Sequence, residues 1–556
     1  MFKFLLFLLP LFILGCSQNI TNTNTIPIAN AGNFQYLDTG TTVYLDGSAS
    51  SDEDGDQLTY QWSLISKPTG SGAYLVAPTS DKPSFLADLE GNYIIKLIVN
   101  DGEVDSQPAY VTISTVTFVI PSTGPQANNL IYTPASTTTQ QRPMLVIRLE
   151  FANKTFINDE NNWQIKLFGT QQGELNHYYH EISHNQFEFI PVSDSNDGKV
   201  VNGVTTISFL DNHPDPDIDA SNFTSQLHPY LRDAIKRVYD NGNGFNFSNY
   251  DTDNGGSISP DELIITFIMA GEEDAYSGGI FDVGVWAHQW CTENTFTPDL
   301  DGLSVMSCNN NGNYAIFGER HHDSSSVSHD ASIGIIAHEL GHSAFDLPDL
   351  YYGTGTRIGY YGLMSNGSWG QVGNNGVPGD TPTHMTAWSK IDTGWYAQSS
   401  FSNNPNDNVP LNATGTNNYS IIKTPFYNST DEYFLVENRG DSGYDVGLKV
   451  ITPAFSGGVA IWHIDEAVIR AKRADNIINS SVSHKGVDLE EAAGDSVDYG
   501  NGDPTLNLYY SGNIDAFTPN TLPNTNLYSN ARSLIFFTDI SSISDTMSVR
   551  INNPAP

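Results

Sequence analysis

The pattern His-Glu-x-x-His occurs twice in this chain, at His180-Glu-Ile-Ser-His184 and at His338-Glu-Leu-Gly-His342. Histidines four residues apart on a helix share one face, so their ring nitrogens can hold a single zinc ion while the glutamate between them works on a water bound to it. So short a pattern also arises by chance, and the flanking sequence has to decide which copy carries chemistry.

The second copy has the setting that such a centre needs. Ile333, Ile336, Leu340 and Ala344 recur at helical spacing and supply a buried face behind the two histidines. Asp330 is expected to cap this helix. Pro348 forbids further helix, and the turn it makes leaves Asp346 and Asp349 as oxygen ligands near a metal. A glutamate from a later helix is a poor third ligand, since none occurs between His342 and Glu432. Farther on, residues 358–370 are rich in glycine and small polar residues, as a tight turn requires, and Met364 is placed to pack beneath the metal. The first copy lacks these surroundings. It runs almost directly into the alternating stretch Gln186-Phe-Glu-Phe-Ile190, and Glu188 is too near in sequence to swing back as a ligand, so His180 and His184 are expected to be surface or packing residues.

The Met364 segment resembles the methionine turn of metzincin peptidases. More broadly, the chain from Arg142 onward resembles the immune inhibitor A family of secreted zinc metallopeptidases. The likeness is carried by the strand Pro143-Met-Leu-Val-Ile-Arg-Leu-Glu-Phe151, Trp286-Ala-His-Gln-Trp290, the His338 motif with Leu-Pro-Asp-Leu-Tyr, Gly362-Leu-Met-Ser-Asn-Gly-Ser-Trp-Gly370, Ile461-Trp-His-Ile-Asp465 and His484-Lys-Gly-Val-Asp-Leu-Glu-Glu491. The resemblance implies an α+β metzincin-like domain in which His338, His342 and Asp349 hold Zn2+, Glu339 serves as general base, and peptide bonds of protein substrates are hydrolysed. One departure stands out. The family pattern is His-Glu-x-x-His-x-x-Gly-x-x-Asp, whereas here Leu-Pro-Asp arrives one residue late and Asp346 takes the glycine's place. An aspartate tolerates the left-handed conformation better than most residues, so a helix one residue longer, turned at Asp346, keeps Asp349 as the expected ligand. The rival function is a cell-surface binding protein with an inert peptidase-like domain; intact His338, Glu339 and His342 argue against it.

A net charge of -39 excludes nucleic acid as a partner, because no basic surface can form to neutralise phosphates. Residues 1–16 read as a lipoprotein signal peptide: Lys3, an apolar run too short to span a membrane, and the lipobox-like Ile13-Leu-Gly-Cys16. Lipidation at Cys16 followed by a polar tether over residues 17–26 would make the protein an exported surface lipoprotein, touching a membrane only through that anchor. Cys291 and Cys308 form an even pair for an exported chain, and a disulfide between them would contribute about 3 kcal/mol on the chain-entropy account.

Behind the leader, a multidomain order is expected. Residues 27–115 show strand-like segments between Gly, Pro and Asp turns, a β-sandwich resembling a PKD-type domain, in which Asp52, Asp54 and Asp56 form either a calcium site or an exposed acidic turn. Residues 116–141 read as a linker, 142–401 as the catalytic domain, and 402–556 as a β-rich C-terminal domain. Leu227, Leu231, Ile235 and Val238 mark a further amphipathic helix. Asp251, Asp253 and Glu262, with Gly256 at the tight turn, have calcium-loop spacing, with Gly255 leaving one side-chain ligand missing and a strand in place of an EF-hand helix after them; structural Ca2+ is expected there, with a plain acidic turn as the alternative. His288, His321, His322, His384 and His463 lack ligand spacing and are expected to be structural or cleft-lining.

Overall fold

In the strand Gly91–Asn100 the side chains of Tyr93, Ile95, Leu97 and Val99 are fully buried and those between them are not, the period-two pattern of a sheet with one face on a core. This strand belongs to the first of two compact units in the computed structural model, Met1–Ile120 and Pro121–Pro556. The structure describes residues 24–553 except 33–34, 117–128, 136–137, 193–201, 215–222, 240–244, 278–282, 301, 323–327, 373–375, 402–406, 428, 430, 494–496 and 501. Cys16 and the leader therefore lie outside the described residues. In the first unit, a sheet ordered Gln35–Asp38, Ala109–Val116, Gly91–Asn100 and Thr59–Ser66 faces the pair Thr41–Tyr44 and Ser84–Ala87 across a core that includes Trp62, Phe85 and Tyr93.

The second unit is built on a largely parallel sheet. Its order is Val204–Ser208, Gln140–Glu150, Ile264–Glu273, Tyr314–His322 and, antiparallel at the edge, His288–Trp290. Every residue of Ile264–Glu273 is buried, as expected for a central parallel strand covered on both faces. Alternate side chains serve two cores. Met144, Val146, Ile264 and Ile268 join the cluster under the helices Glu160–Phe168, Leu175–Ser183 and Ile333–Phe345. Leu145, Ile147, Ile265 and Phe267 join the other, covered by the helix Phe223–Tyr239 through Leu227, Leu231, Ile235 and Val238.

A second, antiparallel sheet runs Tyr396–Phe401, Asn129–Pro134, Ile421–Pro425, Glu432–Arg439, Gly458–Asp465 and Val487–Leu489. It too is buried on both faces: Ile421, Leu435 and Trp462 enter the core of the His338 helix, while Ile422, Phe434, Val436 and Ile461 pack with Phe537, Val549 and Ile551 of the small sheet beyond. The strand Asn129–Pro134 falls inside the stretch read from sequence as a linker, and Tyr396–Phe401 inside the stretch read as catalytic, so both are woven into the C-terminal sheet.

Charged groups are buried on and beside the strand Glu432–Arg439. Lys390 Nζ is 3.2 Å from Glu437 and Arg439 binds Asp445 through two nitrogens, all four side chains having no exposure. Trp462 Nε1 donates to Glu437 (2.9 Å), and Tyr419 also bonds that carboxylate. Removing one member of a buried pair leaves the other charge without compensation. Lys390→Met is therefore expected to lower stability by about 3–5 kcal/mol in denaturant unfolding. Lys449→Ala, at the partly exposed pair with Asp441, is expected to leave the unfolding midpoint almost unchanged.

Candidate metal centre

The helix Ile333–Phe345 is buried along nearly its whole length, so it is fixed by packing on all sides. It begins after Ser332, not at Asp330 as the sequence suggested: Asp330 lies in the strand Ser328–Asp330, paired with Arg320. Ser332 Oγ donates instead to Pro378 O (2.9 Å). At the other end Asp346 adopts φ 54°, ψ 30°, with its N–H bonded to His342 O and that of Leu347 to Gly341 O, a left-handed cap that normally takes glycine. This geometry sends the two aspartates in different directions. Asp346 points away, its side chain 91% exposed and paired with Arg473. Asp349, three residues on, turns back with its side chain 14% exposed, and its Oδ1 lies 3.2 Å from Nε2 of both His338 and His342.

Both imidazoles are oriented from behind. His338 Nδ1 donates to Leu363 O (2.9 Å) and His342 Nδ1 to Leu347 O (2.5 Å), which puts the lone pairs on the two Nε2 atoms, themselves 3.2 Å apart. Two lone pairs and a carboxylate oxygen thus converge at one point and repel unless a cation lies between them. Three donors at mutual separations of 3.2 Å match the edges of a tetrahedron about an ion roughly 2.0 Å from each, the zinc–ligand distance. The residues fit zinc. The same demand for positive charge shows in His338: burial opposes its protonation, yet Asp349 and Glu339 push it up to about 9. Asp349 is held well below the usual carboxylate range, its burial outweighed by the two histidines.

Glu339 faces the same space. Burial raises its carboxyl above the ordinary range against the opposing pull of His338 and His342, and it accepts the N–H of Gln289. Gln289 sits on the edge strand His288–Trp290, which with Trp286 forms one wall of a cleft of about 790 Å³; Arg470, Arg473 and Asn476 form the facing wall. Trp286 and Trp290 are 47% and 52% exposed there. Met364 packs against the helix that carries the two histidines. Its Sδ would come within 2.7 Å of a Cβ on Gly341, so a side chain there would collide with it, and its carbonyl accepts Leu350 N–H (2.7 Å), tying down the Asp349 segment.

The first His-Glu-x-x-His is put to other uses. His180 Nε2 meets Glu188 (3.1 Å), His184 bonds Tyr396 OH (2.8 Å) and Thr416 O (2.9 Å), and Glu181 accepts from His384 Nε2 (2.8 Å) and Tyr444 N (2.6 Å). Of the remaining histidines, His288 lines the cleft, His321 stacks on Tyr276, His322 meets Glu272 and His463 sits between Glu432 and Glu490. Cys291 and Cys308 form a disulfide. Asp251, Asp253 and Glu262 each bring an oxygen within 4.8 Å of the others, as do Asp52, Asp54 and Asp56. In the former group the carboxylates already accept backbone N–H groups, Glu262 from Thr252, Asp253 and Ser259, and Asp251 from Gly255 and Gly256. Sequence reasoning missed Asn476, which stands in no motif, and gave no role to Gln289, which it held only as part of the Trp286–Trp290 match.

The second unit thus combines an α/β scaffold with a candidate metal centre in an open cleft. Residues 147–396 match the catalytic domain of the immune inhibitor A peptidase M6 family, and residues 31–116 match a PKD domain family. Residues 147–396 are thus similar to that catalytic domain, over less than half of the chain. A stretch of 164 residues is 35% identical to the pre-pro-metalloprotease PrtV of Vibrio cholerae serotype O1, in strains M66-2 and ATCC 39315, covering 28% of this chain and 16% of that protein. Among solved structures, the PKD domain from KIAA 1837 protein is 26% identical over 17% of this chain and 92% of its own, with a TM-score of 0.15.

If Asp346 serves only as the turn, Asp346→Gly keeps it and removes the strain of a side chain at positive φ. Stability of the variant is expected within about 1 kcal/mol of the parent, with unchanged metal stoichiometry, by thermal unfolding and metal analysis.

Proposed function

We propose that this chain is a zinc-dependent endopeptidase acting on proteins or peptides, with His338, His342 and Asp349 as metal ligands and Glu339 as general base. The observation that carries the reading is the convergence of two Nε2 lone pairs and Asp349 Oδ1 at 3.2 Å, beside a buried carboxyl at the floor of an open cleft. Bound there, zinc would act as a Lewis acid and lower the pKa of a coordinated water to about 7. Glu339, its carboxyl raised by burial, is suited to take a proton from the attacking water and deliver it to the leaving amine. The strand His288–Trp290 lies at the end of its sheet and lines the cleft, so it is suited to receive an extended peptide alongside it, with the exposed Trp286 and Trp290 offering apolar contact.

The finer parts of this reading rest on sequence and loop geometry: a metzincin-like catalytic domain with Met364 in its methionine turn, structural calcium at Asp251, Asp253 and Glu262, and export with lipid attachment at Cys16. No helix among the described residues is long and apolar enough to cross a membrane.

Glu339→Gln is expected to retain zinc and fold while reducing casein or gelatin hydrolysis by at least about 100-fold, since the amide cannot accept the proton. Asp349→Ala is expected to lose most zinc affinity, and His180→Ala with His184→Ala to leave stoichiometry at one zinc per chain. Hydrolysis by the glutamine variant at the parent rate, or zinc loss in the His180 variant, overturns the assignment.

A further inference from the structure

The turn Arg473–Asp475 lies well over a hundred residues beyond Asp349, yet it packs directly on the ligand segment through Asn476, 127 residues away in sequence. Asn476 ends the turn in the left-handed conformation, φ 54°, with its N–H bonded to Arg473 O (2.9 Å). From there its side-chain amide makes two bonds to one residue. Oδ1 accepts the backbone N–H of Asp349 (2.6 Å), and Nδ2 donates to Asp349 Oδ2 (2.6 Å). The amide orientation is forced, because a backbone N–H needs an acceptor and a carboxylate needs a donor. Asp349 Oδ1 is left to face the two histidines.

We propose that Asn476 is a positioning residue for the metal centre: its amide fixes the plane of the Asp349 carboxylate, occupies Oδ2, and so presents Oδ1 alone as the ligand atom. The proposal rests on the reading of His338, His342 and Asp349 as the zinc ligands. An unclamped carboxylate rotates about its terminal torsion and can offer both oxygens to an ion. Asparagine is the residue that meets the requirement. Aspartate has the length but no donor, and alanine or glycine has neither group. The turn is itself secured against the same segment at two further points. Arg473 binds Asp346 O (2.7 Å) and Asp392 (2.8 Å), and Asn479 Nδ2 donates to Leu350 O (3.2 Å). The C-terminal part of the chain thus supplies the partner of Asp349 in a centre whose proposed ligands all lie on the 338–349 segment.

The test uses the full chain and two variants. Asn476→Gly keeps the left-handed backbone and removes the amide; Asn476→Asp keeps size and the acceptor but loses the donor to Oδ2. Zinc affinity is measured by competition with a chromogenic chelator, and the coordination by the visible spectrum of the Co2+ form, in which tetrahedral sites absorb strongly and higher-coordinate ones weakly. The expected result is a loss of zinc affinity of about 10–100-fold for Asn476→Gly, with metal-free melting close to that of the parent, and a weakened Co2+ spectrum in both variants. A purely structural role would lower metal-free melting and leave the Co2+ spectrum as in the parent. If the glycine variant does not fold, the spectrum of Asn476→Asp decides. Parent-like affinity and spectrum in the variants overturn the role of Asn476 alone, whereas a parent chain that binds neither Zn2+ nor Co2+ overturns the metal centre itself.

Discussion

Four charged side chains with no access to water, Lys390, Glu437, Arg439 and Asp445, pair on and beside the antiparallel strand Glu432–Arg439, and one of them reaches the segment that orients His338. Charges of this kind are tolerated in a core only when each is matched and hydrogen-bonded, so the elements that carry them are held to one arrangement. Arg439 donates to Tyr361 O (2.8 Å), just ahead of the carbonyl of Leu363 that orients His338. Asp445 accepts the N–H of His384 (3.2 Å), whose ring in turn reaches Glu181. The network therefore fixes the segment that supports His338 from behind and locks the helix Leu175–Ser183.

Much of the centre was legible because its parts are local. The helix of His338 and His342 announces itself by apolar residues at helical spacing, and the choice of Asp349 over Asp346 depends on which of them falls at the left-handed cap. The two copies of the motif could be told apart for the same reason: the second leads through Pro348 into a built turn, whereas the first leads from His184 into the strand Phe187–Pro191. The sequence did not reveal what the first copy is for. Glu181 and His184 are held in place through His384, Tyr396 and Thr416, some two hundred residues away, and no spacing rule reaches that far.

The misplaced elements have the same origin. Asp330 has the side chain of a helix cap, but its strand pairing with Arg320 removes it from that task. The strand Asn129–Pro134 sits in a Pro-, Ser- and Thr-rich stretch whose composition suggests a tether, and it becomes a strand because Tyr396–Phe401 and Ile421–Pro425 flank it. Tertiary pairing overrides local preference there, as it often does for strands. Asn476 is a single polar residue in a turn, and only its distance from Asp349 in space gives it meaning.

The antiparallel sheet has a consequence for the order in which a growing chain acquires its properties. Its strands come from residues as early as Asn129 and as late as Leu489, and its inner face helps to build the core beneath the His338 helix. During synthesis the residues that converge on one point all emerge before all but the first strand of the sheet that backs them, and before the turn that braces Asp349. Contacts so distant in sequence form late, because the intervening chain must first be closed into a loop. A nascent chain therefore carries the whole motif long before it carries a shaped cleft, and the step that completes the centre is the arrival of the C-terminal strands.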